Sequence, residues 1–206
     1  MKRIKMLFLS AVMFGGIAAV NAQTSNMNSL SPRFGVKGGV NFATVTGDDF
    51  DSPDSRTSFH VGVLGEMPLT EMFSIQAEVL YSGQGFDADF EGSDGDKAEY
   101  QLDYINVPIL AKVYVLDGLS LEVGPQFSFV VNEEFDFNPN SNDGDIDLEG
   151  TPAEAETFEF GVAAGLTFET SMGLFATGRY NMGLTDIIED VDAKNSVFQI
   201  GIGYKF

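Results

Sequence analysis

The sequence predicts an all-β protein, an eight-stranded antiparallel up-and-down transmembrane β-barrel. Segments of roughly ten residues alternate between apolar and polar side chains with period two, and turn-rich stretches separate them. The apolar rows are rich in Phe and Tyr, whereas the opposite rows mix charges of both signs with Gly. After the N-terminal run described next, no apolar stretch approaches the ~18 residues of a membrane helix.

The N-terminus predicts export. Residues 1–22 combine a basic start, an apolar run at 6–20 and small residues before a cleavage point, which is the pattern of a signal peptide. We expect cleavage before Gln23. A short periplasmic segment at 23–32 and a barrel domain at 33–206 would remain, and we expect the mature protein in the cell outer membrane.

Eight segments carry the alternating pattern, and in each the apolar row is expected to face lipid. They span 33–45, 59–69, 73–82, 100–114, 121–129, 158–169, 174–182 and 198–206. The first four outward rows are Phe34, Val36, Val40 and Phe42; Phe59, Val61, Val63, Met67 and Leu69; Phe73, Ile75, Ala77, Val79 and Tyr81; and Ile105, Val107, Ile109, Ala111 and Val113. Pro108 lies in the fourth segment, where we expect a bulge or local distortion because proline has no N–H for the ladder.

The remaining segments continue the pattern. Their outward rows are Leu121, Val123, Phe127 and Phe129; Phe158, Phe160, Val162, Ala164, Leu166 and Phe168; Leu174, Ala176, Tyr180 and Met182; and Phe198, Ile200, Ile202, Tyr204 and Phe206. Short connections fall around 70–71, 116–118 and 171–173, and long ones at 46–57, 87–99, 132–156 and 185–196. Transmembrane barrels have short periplasmic turns and long extracellular loops, so both termini should be periplasmic.

The same alternation also fits a soluble lipocalin-like carrier, in which apolar residues line the interior. The aromatic rows, the mixed charges of the opposite rows and the terminal aromatic Phe206 favour the membrane barrel instead.

Several stretches resemble a known family. They are 35–42 (GVKGGVNF), 102–110 (LDYINVPIL), 124–126 (GPQ), 179–187 (RYNMGLTDI) and 201–206 (GIGYKF). On these the chain resembles the outer membrane protein beta-barrel domain family of Bacteroidetes, also called porin-family proteins, which includes barrels of the PorT type. The resemblance implies eight strands and insertion by the barrel-assembly machinery, with Phe206 as the assembly signal. It brings no catalytic residues.

Charged residues at inward positions predict an ion-pair network in the lumen. They are Arg33, Lys37, Glu66, Glu78, Lys112, Glu122, Glu159, Glu169, Arg179 and Lys205. A charge in a narrow lumen is costly unless it is paired, so opposite charges should meet there. The network is expected to fill the barrel, and the alternative is a selective or gated pore.

Twenty-three of the 31 acidic residues lie in the four predicted long connections, which would form an acidic extracellular end. Asp143, Asp145, Asp147 and Glu154 have the spacing of positions 1, 3, 5 and 12 of a calcium loop. Leu148 stands where such a loop requires its turning Gly, so a specific Ca²⁺ site is a secondary hypothesis beside diffuse attraction of divalent cations. No other cofactor is expected.

An enzymatic role is not expected. His60 is the one histidine, and Ser58 and Glu66 share its face, but no nucleophile motif surrounds them. We predict a non-enzymatic barrel with a structural or surface-interaction role; the alternatives are a narrow cation-favouring channel and an accessory barrel of a secretion system. Outer-membrane lipid is the expected environment, the protein is expected to be a monomer, and the net charge of −20 argues against nucleic acid.

Overall fold

The computed structural model describes residues 30–47, 54–89, 97–137, 145–146, 156–187 and 193–206. Within them the chain forms β1 (Arg33–Thr46), β2 (Asp54–Pro68), β3 (Phe73–Asp89), β4 (Lys97–Leu116), β5 (Leu119–Phe137), β6 (Asp145–Ile146), β7 (Phe158–Glu169), β8 (Leu174–Gly183) and β9 (Lys194–Lys205). Residues 32–206 form one compact unit. The predicted signal peptide at 1–22 lies outside the described residues.

The long strands close into a barrel. Each pairs antiparallel with its neighbours in the order β1-β2-β3-β4-β5-β7-β8-β9, and β9 pairs with β1 to complete the circle. The two-residue strand β6 lies outside this circle, beside the far end of β5. Eight strands therefore build the wall, and the predicted fold class is confirmed.

The ladder fixes the tilt and width of the barrel. Starting at Glu159 on β7 and moving from each residue to its paired residue on the next strand, one passes once around the barrel and returns to β7 at Glu169. The closed ladder is therefore staggered by ten residues. With a rise of ~3.3 Å per residue and strands ~4.8 Å apart, this stagger over eight strands gives a tilt of about 40°. An eight-stranded barrel of this kind has an interior just wide enough for side chains to fill.

The outer face is the apolar one. Val61, Phe168, Ile200 and Ile202 are 52%, 53%, 51% and 70% exposed, while the polar rows between them point inward and are buried. This is the reverse of a soluble carrier. Among the described residues, no helix is long and apolar enough to cross a membrane.

Aromatic side chains mark both edges of the apolar surface. By analogy with other transmembrane barrels, we call the end with the termini and the short turns periplasmic and the opposite end extracellular. At the extracellular edge, Phe59 pairs with Tyr81, and Phe129 pairs with Phe158 at a ring separation of 5.4 Å. The periplasmic edge carries Phe34, Phe73, Phe168, Tyr204 and Phe206. Phe158 and Phe168 lie at opposite ends of β7, and ten residues tilted by 40° rise about 25 Å, the height of the apolar band of outer-membrane barrels.

The strands at the extracellular end are longer than the sequence predicts. β2 begins at Asp54, β3 continues to Asp89, β4 begins at Lys97 and β5 continues to Phe137. Eight acidic residues assigned to long loops are therefore on strands: Asp54, Asp87, Asp89, Glu99, Glu133, Glu134, Asp136 and Asp145. The hydrogen-bonded ladder continues outward once a hairpin is in register, whatever the local composition.

No bulge occurs at Pro108, and the local distortion expected there is limited to an interruption of the ladder with β3. Its neighbours keep one register with β5 on both sides, from Val107 opposite Phe127 to Ala111 opposite Val123. In the ladder with β3, two successive residue pairs near Pro108 are missing, and the pairing then continues in the same register. Proline lacks the N–H donor, but it adds no residue to the strand, so the register does not shift. The register shifts between β4 and β5 lie at Asp103/Tyr104 and at Tyr114/Leu116 instead.

Candidate functional site

The lumen holds every charged residue that the sequence placed there. Lys37, Glu66, Glu78, Lys112, Glu122, Glu159, Arg179 and Lys205 are at most 4% exposed. Arg33 and Glu169 lie at the periplasmic end, with side chains 37% and 9% exposed. Except for Glu159, these residues meet in two connected clusters.

Arg179 is the centre of the first cluster. From β8 it donates two hydrogen bonds of 2.7 Å to the two carboxylate oxygens of Glu78 on β3. Its Nε and Nη2 also donate to Glu122 Oε1 on β5, at 2.9 and 2.7 Å. Lys37 Nζ from β1 reaches Glu78 at 3.3 Å. The Arg179 guanidinium therefore links β8 to β3 and β5, which lie on different sides of the barrel.

Glu66 is the centre of the second cluster, nearer the periplasm. Its carboxylate accepts hydrogen bonds from Lys205 at 2.5 Å, Lys112 at 3.5 Å and Ser74 at 2.8 Å, and a further one from the Tyr114 hydroxyl. Lys112 joins the clusters, because its Nζ also lies 4.0 Å from Glu122.

The periplasmic end of the lumen is closed by a second carboxylate. Glu169 on β7 pairs with Arg33, and it accepts a hydrogen bond of 2.7 Å from Lys205. Arg33 lies 3.4 Å from Glu66 as well. The two carboxylates share their cations, so the lower half of the lumen is a continuous network.

Glu159 stands apart from the predicted network. It is 4% exposed, and it accepts a hydrogen bond of 2.8 Å from Asn195 Nδ2, which also lies 3.2 Å from the Tyr104 hydroxyl. No cation pairs with it among the residues that the structure describes. Its carboxylate lies against Gly183, where a Cβ would come within 2.8 Å of Oε1.

Between Glu159 and Arg179 lies a layer of uncharged polar side chains that the sequence analysis did not identify. We call it the amide layer: Asn41, His60, Ser82, Asn106, Gln126, Asn181 and Gln199. All are at most 5% exposed. They come from seven strands, and the tilt of the ladder brings them within roughly 5 Å of one another along the barrel axis. The alternation in the sequence shows that these side chains face inward. That they lie at the same height along the barrel axis can be seen only from the register of the strands.

On one side of the amide layer, both polar atoms of the Asn41 side chain have hydrogen-bond partners. Its Nδ2 donates to Ser82 Oγ at 2.9 Å, and its Oδ1 accepts from Gln199 Nε2 at 3.0 Å. His60 Nδ1 lies 2.7 Å from the same Oδ1, so this nitrogen carries the proton. The partner of His60 is thus an amide, and Glu66 belongs to a different cluster; these residues do not form the nucleophile and base arrangement considered above.

The other predicted sites have different outcomes. Asp143, Asp147 and Glu154 lie outside the described residues, and Asp145 is on β6 opposite Asp136. In the described part of the chain, no three acidic or histidine side chains are grouped as a metal site. Phe206 is 72% exposed on the lipid face, and its N–H donates to Phe34 O at 2.8 Å.

Comparison with solved structures gives proteins of the same fold. The Neisserial surface protein NspA is 12% identical, with a TM-score of 0.55, over 84% of this chain and 97% of its own. Ail, the attachment invasion locus protein of Yersinia pestis, is 14% identical, with a TM-score of 0.51, over 86% of this chain and 100% of its own. At these identities the likeness concerns the fold alone.

Sequence comparison identifies the family. No curated protein matches the chain significantly in sequence. The family model described as "Outer membrane protein beta-barrel domain" matches residues 21–189. That match, together with the outward apolar band and its aromatic edges, places the protein in the outer membrane. The narrower resemblance to Bacteroidetes barrels of the PorT type stays a prediction. The chain belongs to the outer membrane protein beta-barrel domain family.

Proposed function

We propose that this protein is a non-enzymatic outer-membrane barrel with a closed lumen, which acts through its extracellular end in surface interactions. The observation that carries the proposal is the position of Arg179. It bonds to Glu78 and Glu122 on two other strands, and all three side chains are at most 1% exposed.

An ion crossing the barrel would have to pass this cluster. It would break the paired hydrogen bonds between Arg179 and Glu78, both 2.7 Å long, and leave buried charges without partners. Separating a buried ion pair costs several kcal/mol, about 3–5 by mutational data. The second cluster, centred on Glu66, presents a further barrier below it.

Planar-bilayer recording tests the closed lumen. The purified full-length barrel should give no stable single-channel steps. A variant in which both clusters are changed to serine, at Arg179, Glu78, Glu122, Glu66, Lys112 and Lys205, should conduct, because it removes the charged contacts and opens space at both levels. Steady conductance from the wild-type protein, equal to that of this variant, would contradict the proposal and favour the cation-channel alternative.

The extracellular end supplies the surface that we propose for interaction. The β3–β4 ladder continues to Asp89 opposite Lys97, and the β4–β5 ladder to Ala98 opposite Phe137. Phe129 marks the aromatic edge on β5, so the eight residues beyond it rise about 20 Å farther from the membrane at the same tilt. These hairpins are rich in acidic residues, which favours basic partners and divalent cations. The solved barrel Ail is named for attachment, which is a role of the same kind.

Whole cells test the surface role. Cells that carry the wild-type barrel should bind an immobilised basic protein more strongly than cells in which the acidic residues at 87–99 and 132–136 are changed to Asn and Gln. The difference should shrink as salt is raised, because surface charges are screened. Equal binding at low salt, with equal amounts of folded barrel, would argue against the extracellular hairpins as the interacting surface. Calcium binding at Asp143, Asp145, Asp147 and Glu154 stays a hypothesis, tested by calorimetry.

A further inference from the structure

Two of the three register shifts among the described strands lie close together at the extracellular edge of the barrel. One is in the β2–β3 pairing, between Ser55 and His60, and the other is in the β4–β5 pairing, between Asp103 and Tyr104. The third lies at the short β4–β5 turn. Bulges concentrate at barrel rims and beside functional sites, where the extra residue re-aims its neighbours. The outer wall from β2 to β5 therefore departs from a regular ladder at this level.

The β5 bulge changes which side chain lies beside Asp103. Val131 is skipped in the pairing with β4, so Asn132 becomes the ladder partner of Asp103. In a regular ladder Val131 would lie opposite Asp103. The Nδ2 of Asn132 donates a hydrogen bond of 3.3 Å to Asp103 Oδ2. The bulge thus exchanges an apolar partner of this carboxylate for an amide.

Beside the β2 bulge, Arg56 reaches across β3. Its Nη1 donates to Gln84 O on β3 at 2.9 Å, and its Nη2 donates to Gln101 Oε1 on β4 at 2.9 Å. Gln101 lies two residues from Asp103, on the same face of β4. The residue of β3 opposite Asp103 is Gly83, and Asp103 Oδ1 lies 3.4 Å from the position that a Cβ would take there. β3 therefore contributes no side chain between β2 and β4 at this position.

These side chains and the aromatic pair below them form a surface that we call the rim patch. It consists of Arg56, Phe59, Tyr81, Gln101, Asp103 and Asn132. The rings of Phe59 and Tyr81 have centroids 5.8 Å apart, and the Tyr81 hydroxyl hydrogen-bonds to Asp103. Phe59 is 55% exposed, and Asn132 is exposed as well. Tyr81, Gln101 and Asp103 are half-buried. Their polar atoms are therefore accessible from outside, so a ligand would lie on the wall without needing a cavity.

The rim patch lies at the level of lipid headgroups. Phe59 and Tyr81 belong to the extracellular edge of the apolar band, and aromatic rings at such an edge lie among the headgroups. Ile105 pairs with Tyr81 and Phe129 at this edge. Asp103 is two residues beyond Ile105, so it lies about 5 Å farther from the membrane centre at the same tilt. An outer-leaflet lipid in contact with β3 and β4 therefore places its headgroup against the patch.

The polar groups of the patch match hydroxyls better than phosphate or ammonium. A carboxylate has about four acceptor positions, and on Asp103 only two are used, by Tyr81 and Asn132. The amides of Gln101 and Asn132 both donate and accept. A phosphate only accepts and would be repelled by Asp103, whereas an ammonium only donates. Neighbouring hydroxyls of a sugar do both, and the apolar face of a sugar ring packs on an aromatic ring such as Phe59.

We propose that the rim patch binds the sugar headgroup of an outer-leaflet glycolipid. Asp103 accepts hydrogen bonds from the sugar hydroxyls, and Asn132 donates to them and accepts from them. The rings of Phe59 and Tyr81 pack against the sugar, and the acyl chains lie along the apolar rows below. The site is on the outer wall, so it does not depend on whether the lumen is closed.

Fluorescence quenching in vesicles tests the proposal on the full-length barrel. The chain has no Trp, so Ile105→Trp gives a single reporter beside the patch, and Phe73→Trp gives one at the periplasmic edge. Each protein is refolded into vesicles of phosphatidylcholine with brominated chains, which quench the reporter. Part of this lipid is then replaced by unbrominated phosphatidylcholine, digalactosyl diacylglycerol or phosphatidic acid. A lipid that the patch prefers displaces the quencher and raises the fluorescence above the phosphatidylcholine reference.

The two reporters should give different results. With Ile105→Trp, the digalactosyl lipid should compete about three- to tenfold better than phosphatidylcholine, which is the effect of one or two net hydrogen bonds. With Phe73→Trp, the two lipids should compete equally. Equal competition by all three lipids at Ile105→Trp overturns the proposal. So does an equal sugar preference at both reporters, which would be a general effect of the lipid, or a stronger preference for phosphatidic acid, which would indicate a phosphate site.

Substitutions in the patch locate the effect. Asp103→Ala combined with Asn132→Ala, in the Ile105→Trp protein, should bring the sugar lipid to the level of phosphatidylcholine. Asp117→Ala is the matched control, because it removes an exposed aspartate from the periplasmic β4–β5 turn and should leave the preference unchanged. Gel mobility without boiling shows that each variant is folded. If the folded double variant kept the full preference, the rim patch would not be the site.

Discussion

Arg179 offers the sharpest test of how the lumen is stabilised. Arg179→Met keeps most of the side-chain volume but leaves Glu78 and Glu122 buried without their main partner. Breaking a buried pair in this way costs about 3–5 kcal/mol. Glu78 keeps Lys37 at 3.3 Å, and Glu122 keeps Lys112 at 4.0 Å. Because these second cations remain, we expect a loss near the lower bound, about 3 kcal/mol of unfolding free energy.

Arg33→Met is the matched control for this experiment. It makes the same substitution and the same charge change in the same lumen, but the Arg33 side chain is 37% exposed, and its partner Glu169 keeps Lys205 at 2.7 Å. A partly solvated pair contributes about 1 kcal/mol or less. The double variant Arg179→Met with Glu122→Gln removes one charge of each sign, and it should recover most of the loss.

Urea unfolding of the barrel in lipid vesicles, followed by gel mobility without boiling, measures all three variants. The reasoning would be refuted if Arg179→Met and Arg33→Met lost equal stability. Equal losses would mean that water reaches Arg179 as freely as it reaches Arg33, and the closed lumen would then be in doubt as well.

Three further predictions concern the wall of the barrel. Ile200→Arg, near the middle of the apolar band, should cost about 2–4 kcal/mol, and Leu116→Arg at the periplasmic turn about 0–1, both by the same urea assay. Gly39→Ala should cost about 3 kcal/mol or more, because a Cβ would come within 2.0 Å of Ile200 O, whereas Gly178→Ala has nothing within 4 Å and should be neutral. Phe206→Ser should lower the amount of folded barrel in the outer-membrane fraction, measured by gel mobility, while the purified protein still refolds; unchanged amounts would exclude an assembly role for the terminal ring.

The faces of the strands could be predicted from the sequence because a strand has a side-chain period of two. β8 shows this clearly: Phe175, Thr177 and Arg179 are buried, and Leu174 and Tyr180 are exposed, as the alternation predicts. Because one face of each strand meets lipid and the other a narrow lumen, the strand cannot shift its register by one residue without exchanging the two faces.

Strand ends could not be predicted from composition. Asp87 pairs with Glu99 in the β3–β4 ladder, although like charges directly opposite each other destabilise a sheet. Local preference favours a loop there, but each further backbone pair adds hydrogen bonds to a hairpin that is already formed. The acidic stretch is therefore partly a strand extension, which sequence alone could not distinguish from a solvated loop.

Which lumen charges pair with each other could not be predicted from the sequence either. The sequence gives the sign and the inward position of Glu159 and Lys112, but a stagger of ten residues around the barrel decides their heights. Lys112 consequently reaches Glu66, and Glu159 lies at the extracellular end beside Asn195. The amide layer was missed for the same reason, since neutral residues on seven strands form a layer only when the stagger is known.

The closed lumen that we propose would restrict where partners can act. The lipid face offers only an apolar band, and at the periplasmic end three short turns join the strands, as at Leu116–Leu119. The extracellular hairpins therefore carry most of the surface that is free to vary with function. Substitutions in the Arg179 and Glu66 clusters should change unfolding free energy without changing binding by intact cells, provided that equal amounts of folded barrel are compared. Substitutions in the acidic hairpins should change binding and leave stability nearly unaltered, because those residues lie beyond the aromatic edge. If the two classes of variant instead changed both properties together, the lumen and the surface would be coupled, and a conformational change of the whole barrel would have to replace the static scaffold as the working description.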